Sequence, residues 1–370
     1  MNGSSDSVSL AAAIDTALAL EKSRSERVFI VGGVVRDLVM GRPAGDFDLD
    51  LVVEGDGIAF AREMAVMLGG GVREHPAFLT AKVYGPFAAA QDDGASSRLT
   101  EVDVATARTE HYIKPGALPT VRSATIEQDL WRRDFSINAL AIPLAVYAPV
   151  LRQETAVALD ADLVMDPTQG MKDIVQSTVR VLHRGSFVDD PTRLFRSVRY
   201  TERLSFHFDM ETLAAFVEAV KSGVLAALSP RRVFNEVLVA LDEPSPARVV
   251  EEFFERGLFY YLPIVSEHNE ELVLGALRRL EINRGLVTNP EFRDVGRLII
   301  LAGLLRDGRD DVALATHEGG KTIARVRRIL KQERSDRASI SLTEALSEYC
   351  LHSNVEARVL VEETLQGKVR

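Results

Sequence analysis

Residues 31–53 of the chain read VGGVVRDLVMGRPAGDFDLDLVV, and this segment carries the strongest structural signals of the sequence. With the preceding VFI, it predicts a buried strand that runs into a turn at Gly32 and Gly33 and is followed by a helix. The DFDLDLVV segment alternates acidic and apolar residues, which is the period-two pattern of a strand with one polar face. The stretch therefore indicates a strand–helix–strand unit.

The glycine turn has the residues that a phosphate group needs. Gly32 and Gly33 let the backbone come close to a ligand and can supply amide donors for phosphate oxygens. Arg36 follows at a position where it can either meet phosphate or anchor a carboxylate.

The acidic strand supplies candidate metal ligands. Asp46 and Asp48 are two residues apart, so both carboxylates face the same side of a strand. Two carboxylates so placed can bridge divalent ions about 4 Å apart, and Mg²⁺ prefers such oxygen ligands. Asp50 shares this face by parity, and we favour a solvated charge at the strand end for it.

The segment GGVVRDLVMGRPAGDFD resembles the signature of the class II tRNA nucleotidyltransferases and bacterial poly(A) polymerases, which belong to the polymerase-beta-like nucleotidyltransferase superfamily. The resemblance implies that Asp46 and Asp48 are catalytic and hold two Mg²⁺ ions. It also implies an α+β fold, in which a head with a mixed sheet and helices precedes an all-α neck, body and tail.

The helix and strand patterns along the chain fit this organisation. We expect an N-terminal tail and helix over residues 1–25 and a catalytic nucleotidyltransferase head over 26–150. Strand patterns then fade, and we expect a nucleotide-selecting neck over 151–225, a helical body over 226–300 and a tRNA-binding helical tail over 301–370.

The segment DLWRRDFSINALAI resembles the RRDxxxNA motif of the family. Asp134 can accept hydrogen bonds from ribose hydroxyls, which distinguish ribonucleotides from deoxyribonucleotides. Arg133 and Asn138 can hold phosphates. The alternative is a helix start with a structural Arg–Asp pair, and the carboxylate strand upstream favours function.

The segment DDPTRLFRSVRY contains the candidate base selector. Asp190 and Arg193 are three residues apart and therefore neighbours on one face of a helix. A carboxylate and a guanidinium together can recognise the edge of cytosine or adenine. In the resembling family the motif is Glu-Asp-x-x-Arg and selects CTP and ATP, whereas here Asp189 replaces the glutamate. Further nucleotide-binding candidates on the same helix are Arg196 and Arg199.

A third metal-coordinating carboxylate could come from TEVDVATAR, where Glu101 and Asp103 share one strand face. A solvent-facing acidic pair is about equally expected. Arg108, directly after this strand, resembles a family arginine near the triphosphate.

Three further motifs complete the set. DPTQGMKDI, residues 166–174, resembles the segment that links head to neck, and we expect hinge geometry from it. In SPRRVFNEVLVAL, Arg232 and Glu236 are spaced to bridge each other and support the neck. A basic stripe in the tail can follow the tRNA backbone, although a solvated helix face is equally expected; it comprises Lys321, Arg325, Arg328 and Lys331.

Bulk composition narrows the function classes. The formal net charge of −10 argues against coating nucleic acid over the whole surface but not against a local basic groove. The single cysteine, Cys350, excludes an internal disulfide framework. The sequence shows no apolar membrane span and no secretion signal at its start. We therefore expect a cytoplasmic protein with no membrane and no obligate protein partner.

Three functions remain in competition. The first is addition of C, A or both to the 3′ end of tRNA from CTP and ATP, without a nucleic-acid template. The second is a bacterial poly(A) polymerase, which the tRNA-type DDPTR helix and the lack of a basic extension disfavour. The third is a non-catalytic RNA-binding module, which does not explain why the motif acids and arginines occur together.

Specificity within the first function stays open. The stretch TEHYIKPGALPTVRSATIEQ, residues 109–128, contains Pro115, Gly116 and Pro119, and we expect a loop without regular structure. It lacks the DGRRP-like sequence of many CCA-adding enzymes. This departure favours a CC-adding or A-adding specialist without deciding between them.

The carboxylate strand yields a direct test. Asp46→Ala should abolish nucleotide addition while leaving the fold largely intact, because it removes a metal ligand and no core side chain. Extension of labelled tRNA and circular dichroism measure the two properties. Retained turnover in the variant would defeat the metal assignment, and loss of RNA binding without any activity to lose would favour the binding module.

Overall fold

The computed structural model describes residues 10–42, 49–85, 101–151 and 161–259, with a further helical stretch at 273–275, 277–278 and 281. The described residues form two compact units. The first contains the chain up to Ser186 together with His207–Thr212, and the second contains Phe187–Phe206 and the chain from Leu213 onward.

The first unit is built on a mixed six-stranded sheet in the order β3-β4-β5-β2-β1-β8. Its strands are β1 (Arg27–Val31), β2 (Leu49–Glu54), β3 (Gly71–His75), β4 (Thr80–Tyr84), β5 (Glu101–Thr106) and β8 (Ala141–Pro143). Two short two-stranded sheets accompany it, formed by β6 (Arg108–His111) with β7 (Thr120–Ser123) and by β9 (Thr178–Val179) with β10 (His207–Phe208). Only β2 with β5 and β9 with β10 pair in parallel among these described strands.

Six helices belong to this unit: α1 (Leu10–Arg24), α2 (Gly33–Val39), α3 (Gly57–Met67), α4 (Ile126–Trp131), α5 (Leu144–Leu151) and α6 (Gly170–Val175). The sequence encodes several of their ends. The Asp56 carboxylate accepts hydrogen bonds from the first amides of α3, and Thr125 forms a capping box with Gln128 at α4. The predicted N-terminal helix, α1, buries Leu10, Ile14 and Leu20.

The two faces of the sheet are covered differently. Helices α1, α3 and α5 pack on the sheet, where alternate strand residues such as Ile30, Leu51 and Val104 are buried. On the other face a second apolar cluster joins Phe29 and Val52 to residues of α4 and its neighbouring loops. This cluster covers only part of the face, and the strand residues beyond it are charged.

The expectation of an irregular loop over residues 109–128 is wrong at both ends. Strands β6 and β7 pair there in antiparallel register from Arg108↔Ser123 to His111↔Thr120. The glycine and prolines that suggested a loop all lie in the connection 112–119. The hairpin went unrecognised because its strands, RTEH and TVRS, are polar on both faces and have no apolar alternation.

Strand pairing also continues beyond residue 150, where we expected helices alone. The pair β9 and β10 joins Thr178 to His207 and Val179 to Phe208. Strands of two residues are too short to produce a periodic pattern, so the sequence could not reveal them.

The second unit is helical in its described part. Its helices are α7 (Ser186–Asp189), α8 (Thr192–Leu204), α9 (Met210–Lys221), α10 (Pro230–Ala240) and α11 (Pro246–Glu255), with α7 and α9 beginning in the first unit. Helix α8 packs on α10 and α11, and the ring of Phe253 is nearly perpendicular to those of Phe195 and Phe259. The expected α+β architecture, a mixed-sheet head before a helical remainder, is confirmed. No helix in the described parts of the chain combines the length and apolar composition that a bilayer crossing requires.

The start of α3 provides a stability test. A Cβ on Gly57 would lie 2.6 Å from the Thr106 amide nitrogen and 2.8 Å from the Ala105 carbonyl carbon. Gly57→Ala should therefore destabilise the chain by about 1–3 kcal/mol, the usual effect of overpacking, although alanine has the better helix propensity. Urea denaturation measures the difference. The control is Gly185→Ala, whose Cβ would meet only His183 at 3.5 Å, and equal stability of the two variants would contradict the close approach.

Candidate functional site

The predicted metal ligands Asp46 and Asp48 and the basic stripe Lys321, Arg325, Arg328 and Lys331 lie outside the described residues. Their positions remain predictions from the sequence. Strand β2 begins one residue after Asp48, at Leu49, and the described site begins with Asp50.

A charged row crosses the open face of the sheet. Asp50 on β2 is in register with Asp103 on β5, which is in register with Lys82 on β4. The Lys82 ammonium lies 2.9 Å from an Asp103 carboxylate oxygen and also contacts Glu101. Burial lowers the pKa of Lys82, but the hydrogen bonds that its ammonium donates to Glu101 and Asp103 outweigh burial and leave the pKa raised.

Lys82 thus neutralises the acidic pair that we considered as a source of a third metal ligand. Lys82 was not predicted from the sequence, although the alternation of LTAKVYG places it on the face of Asp103 once the strands pair. Within the described ranges, no three His, Cys, Asp or Glu side chains come close enough together to hold a metal ion.

The glycine turn brings a guanidinium against the backbone. Gly32 has a φ of +73°, in the left-handed region that favours glycine. A Cβ at this position would lie 3.4 Å from Arg133 Nη1 and 4.0 Å from Asp50 Oδ2. The turn, the arginine of the RRD motif and the acidic strand therefore meet at one place.

One of the expected phosphate donors is already in use. The Gly32 amide donates to the Leu140 carbonyl at 3.2 Å. The pairing of β1 with β8 continues one residue into the turn, so in this structure the Gly32 amide serves the sheet.

Asp129 organises the two arginines of the RRD motif. Its side chain is fully buried, and its Oδ1 accepts from Arg132 Nη2 at 2.7 Å and from Arg132 Nε at 2.9 Å. Its Oδ2 accepts from Arg133 Nη2 at 3.0 Å, and the Arg108 amide donates to Oδ1 at 3.1 Å. Burial raises the pKa of Asp129, but the charges of Arg133 and Arg132 outweigh burial, and the pKa is lowered.

The arginines around Asp129 retain donors for a ligand. Arg133 Nε and Arg108 Nη1 are buried and have no hydrogen-bond partner in the described part of the protein. Burial and the neighbouring Arg132 lower the pKa of Arg108, which Glu110 opposes. Buried donors without partners cost free energy, and an anionic group at this place would satisfy them. Asp129 and Glu110 were not predicted from the sequence; the spacing of Asp129 to Arg132 and Arg133 was the signal.

The turn after the RRD motif connects it to α2. The Asp134 carboxylate accepts from the Phe135 amide at 2.9 Å and from Asn138 Nδ2 at 3.3 Å. Asn138 Oδ1 in turn accepts from Arg36 Nη1 at 2.8 Å. Arg36 is buried, and its Nε lies 2.9 Å from Asp37 Oδ1. Of the two roles expected for Arg36, contact with phosphate and anchoring of a carboxylate, the structure shows the second.

In the second unit, Asp190 lies outside the helix on which we expected it. Helix α7 ends at Asp189, Pro191 precedes α8, and α8 begins at Thr192, so Asp190 and Arg193 do not share a helical face. Pro191 is the physical reason, because a proline favours the start of a helix and restricts the residue before it.

Asp190 nevertheless has a defined orientation. Its Oδ1 accepts from the Thr192 amide at 3.1 Å, from Thr192 Oγ1 at 2.8 Å and from Arg232 Nη2 at 2.7 Å. Arg232 thus contacts Asp190, and the expected partner Glu236 accepts instead from Arg199 at 2.9 Å. Motif residues 229–241 therefore support the start of α8.

The arginines of α8 differ in exposure. Arg193 and Arg199 are buried, and Arg199 lies between Glu236 and Glu243. Arg196 is half-buried beside the ring of Tyr200, 5.9 Å from its centroid. Burial raises the pKa of Glu236 even though Arg199 and Arg196 oppose it.

Comparison with known proteins identifies two domain families. The family described as "Poly A polymerase head domain" matches residues 28–180, and the family described as "Probable RNA and SrmB- binding site of polymerase A" matches residues 205–268.

Two curated relatives and a solved structure give the detail. An A-adding tRNA nucleotidyltransferase of Halalkalibacterium halodurans is 41% identical over 59% of this chain and 46% of its own length. A CC-adding tRNA nucleotidyltransferase of Deinococcus radiodurans is 34% identical over 64% of this chain and 56% of its own. The chain thus spans about half the length of these relatives. A crystal structure of a tRNA nucleotidyltransferase with a primer tRNA and an incoming ATP analog has a TM-score of 0.63 at 25% identity, covering 95% of this chain and 94% of that one.

The buried Asp129 generates a prediction about pH. Because its folded-state pKa is lowered, its stabilising effect is complete above the unfolded-state pKa of about 3.9 and is lost as the pH falls toward the folded-state value. Asp129→Asn should lower the free energy of unfolding by up to about 3 kcal/mol at pH 7. This is the low end of the usual effect of breaking a buried ion pair, because the side chains of Arg132 and Arg133 remain partly exposed to water. The deficit relative to wild type should shrink below about pH 4.

Urea unfolding of both proteins between pH 7 and pH 3 measures this difference. Glu74→Gln is the matched control, because it breaks a carboxylate–arginine pair with Arg62 on the exposed surface and should change stability little. A deficit for Asp129→Asn that is independent of pH would contradict the assignment.

Proposed function

Because the chain belongs to the family of the tRNA nucleotidyltransferases and bacterial poly(A) polymerases, we propose that it adds C, A or both to the 3′ end of tRNA. The nucleotides come from CTP and ATP, pyrophosphate leaves, and no nucleic acid serves as template. We place this activity in the cytoplasm.

The main support for the proposal is the similarity of the chain to known tRNA nucleotidyltransferases. The two curated relatives described above are both named as tRNA nucleotidyltransferases, one A-adding and one CC-adding. The solved structure that covers nearly the whole chain is one of a tRNA nucleotidyltransferase with a primer tRNA. A poly(A) polymerase therefore remains the second candidate, and a non-catalytic RNA-binding module the third.

Asp46 and Asp48 are the residues that would hold the metal ions, with Asp103 as a further candidate. The proposed donor set fits Mg²⁺ chemically, because it consists of carboxylates and because the described Asp50 carries a further carboxylate at the start of β2. When bound, two Mg²⁺ ions neutralise the triphosphate and favour ionisation of the attacking hydroxyl.

The described residues supply positioning around that centre. Arg133, held by Asp129 against Gly32, has an unused buried donor for a triphosphate oxygen. Asp134 accepts from the ribose hydroxyls, and Asn138 keeps Asp134 and Arg36 in place. Phosphoryl transfer of this kind depends on positioning and charge stabilisation more than on covalent help. The 3′-hydroxyl of the tRNA attacks the α-phosphate, and pyrophosphate departs.

Base selection falls to the start of α8. Asp190, fixed through Oδ1 by Arg232 and Thr192, accepts from the exocyclic amine of cytosine or adenine. Arg193 donates to the ring of the base, and Asp189 completes the motif. Arg196, half-buried beside Tyr200, is the proposed phosphate contact of this helix, and the buried ion pairs of Arg199 support the helix.

Addition of A is the form to test first. The A-adding relative is 41% identical to this chain and the CC-adding relative 34%. The basic residues Lys321, Arg325, Arg328 and Lys331 are the proposed contacts of the tail with tRNA phosphates.

The test uses tRNA transcripts that end before CC, before the second C and before A, each incubated with Mg²⁺ and either CTP or ATP. We expect one A on the transcript that ends in CC and none on the shorter ones, read on a sequencing gel. Asp46→Ala serves as the control for contaminating activity.

Other outcomes identify the other candidates. Addition of C to the shorter transcripts would replace A addition with CC or CCA addition. Long A tails on unrelated RNA would identify a poly(A) polymerase. Binding of tRNA without any extension by wild-type protein would leave the RNA-binding module.

A further inference from the structure

The motif DPTQGMKDI, residues 166–174, packs against the turn that contains the RRD-motif residues. The Asp166 carboxylate accepts from the amides of Gly170 at 2.7 Å and Met171 at 2.9 Å, which fixes the start of α6. A Cβ on Gly170 would lie 2.1 Å from the Ser136 carbonyl oxygen. Only glycine permits this contact, so α6 lies directly on the 3-10 turn Ser136–Asn138.

A buried hydrogen bond locks the two segments together. Ser136 Oγ donates to Asp173 Oδ2, and both side chains are buried. The same Asp173 oxygen accepts from Arg180 Nε at 2.8 Å, and the Arg180 carbonyl accepts from the Ser136 amide at 2.9 Å. Ser136 is thus held through its side chain and through its backbone.

The locked turn leads straight to the proposed nucleotide contacts. Asn138 is the last residue of the turn, and its amide group holds Asp134 on one side and Arg36 on the other. Asp134 lies two residues before Ser136. A shift of Ser136 therefore moves both ends of this hydrogen-bond chain.

We propose that Ser136 and Asp173 are positioning residues that fix Asp134 for recognition of the ribose, a role that rests on the proposed function. Asp173 touches no substrate and acts through Ser136. The motif 166–174 thus has a positioning role through Asp173, in addition to the hinge geometry that we expect from it. Removal of the Ser136–Asp173 bond therefore loosens the discrimination between ribonucleotides and deoxyribonucleotides.

The experiment compares ATP with dATP, and CTP with dCTP, as substrates for tRNA extension by the full chain. Ser136→Ala and Asp173→Asn should each lower kcat/KM for the ribonucleotide on the order of tenfold, the effect of losing one buried charge-assisted hydrogen bond. The ratio of ribonucleotide to deoxyribonucleotide kcat/KM should fall at least about fivefold. The double variant should be no worse than the poorer single one, because both changes act on the same Ser136–Asp173 contact. Ser136→Thr, which retains the hydroxyl, should restore most of the ratio.

Thr106→Val is the matched control. It removes a buried hydroxyl in the same unit, one that accepts from the Gly57 amide at 2.9 Å instead of contributing to the Ser136–Asp173 contact. Its ratio of ribonucleotide to deoxyribonucleotide kcat/KM, the ribose ratio, should equal that of the wild type. This should hold even if its thermal stability falls as far as that of Ser136→Ala. A purely structural role predicts equal ribose ratios in all these variants.

Each remaining outcome is decisive. Unchanged ribose ratios in folded Ser136→Ala or Asp173→Asn, or fully additive effects in the double variant, would overturn the positioning role. If one single variant fails to fold, the other decides the ratio. Wild-type protein that extends no tRNA with any nucleotide overturns the proposed function itself and this role with it.

Discussion

The first unit depends on a carboxylate that stays charged in its interior. Asp129 is fully buried, and the guanidinium groups of Arg132 and Arg133, together with the Arg108 amide, compensate for its lost hydration. Their orientation therefore comes from a rigid buried anchor rather than from a surface contact that water can replace. The second unit uses the same device, since Arg199 reaches Glu243 in its core. The guanidinium groups of these arginines therefore also belong to the packed interior of each unit.

Much of the fold follows from local patterns in the sequence. The period-two alternation predicted β2 and β5, and Asp, Ser and Pro at helix starts predicted the helices of the second unit. The spaced motifs then led to the family, because glycines, paired acids and an RRD segment seldom occur together in this order. These signals share one property: each depends on residues close together along the chain.

The features that escaped prediction depend on partners far apart in sequence or on weak periodicity. Lys82 meets Asp103 only after strands β4 and β5 pair, so nothing in its own segment predicts the contact. The β6–β7 hairpin has polar residues on both faces, and its one apolar residue, Val121, gives no alternating pattern. Asp190 was assigned to a helical face because its spacing to Arg193 suited one, whereas Pro191 delays the start of that helix.

The parallel pairing of β9 with β10 has a consequence for dissecting the protein. Strand β10 comes from residues 207–208, yet it completes a sheet with Thr178 and Val179, and nearby Thr212 Oγ1 accepts from the Val181 amide at 3.1 Å. The first unit is therefore formed by two segments that are separate in the amino-acid sequence. A fragment that stops near residue 180 would lose a strand and a buried hydrogen bond, and a faithful excision would have to rejoin residues 207–212 through a new linker.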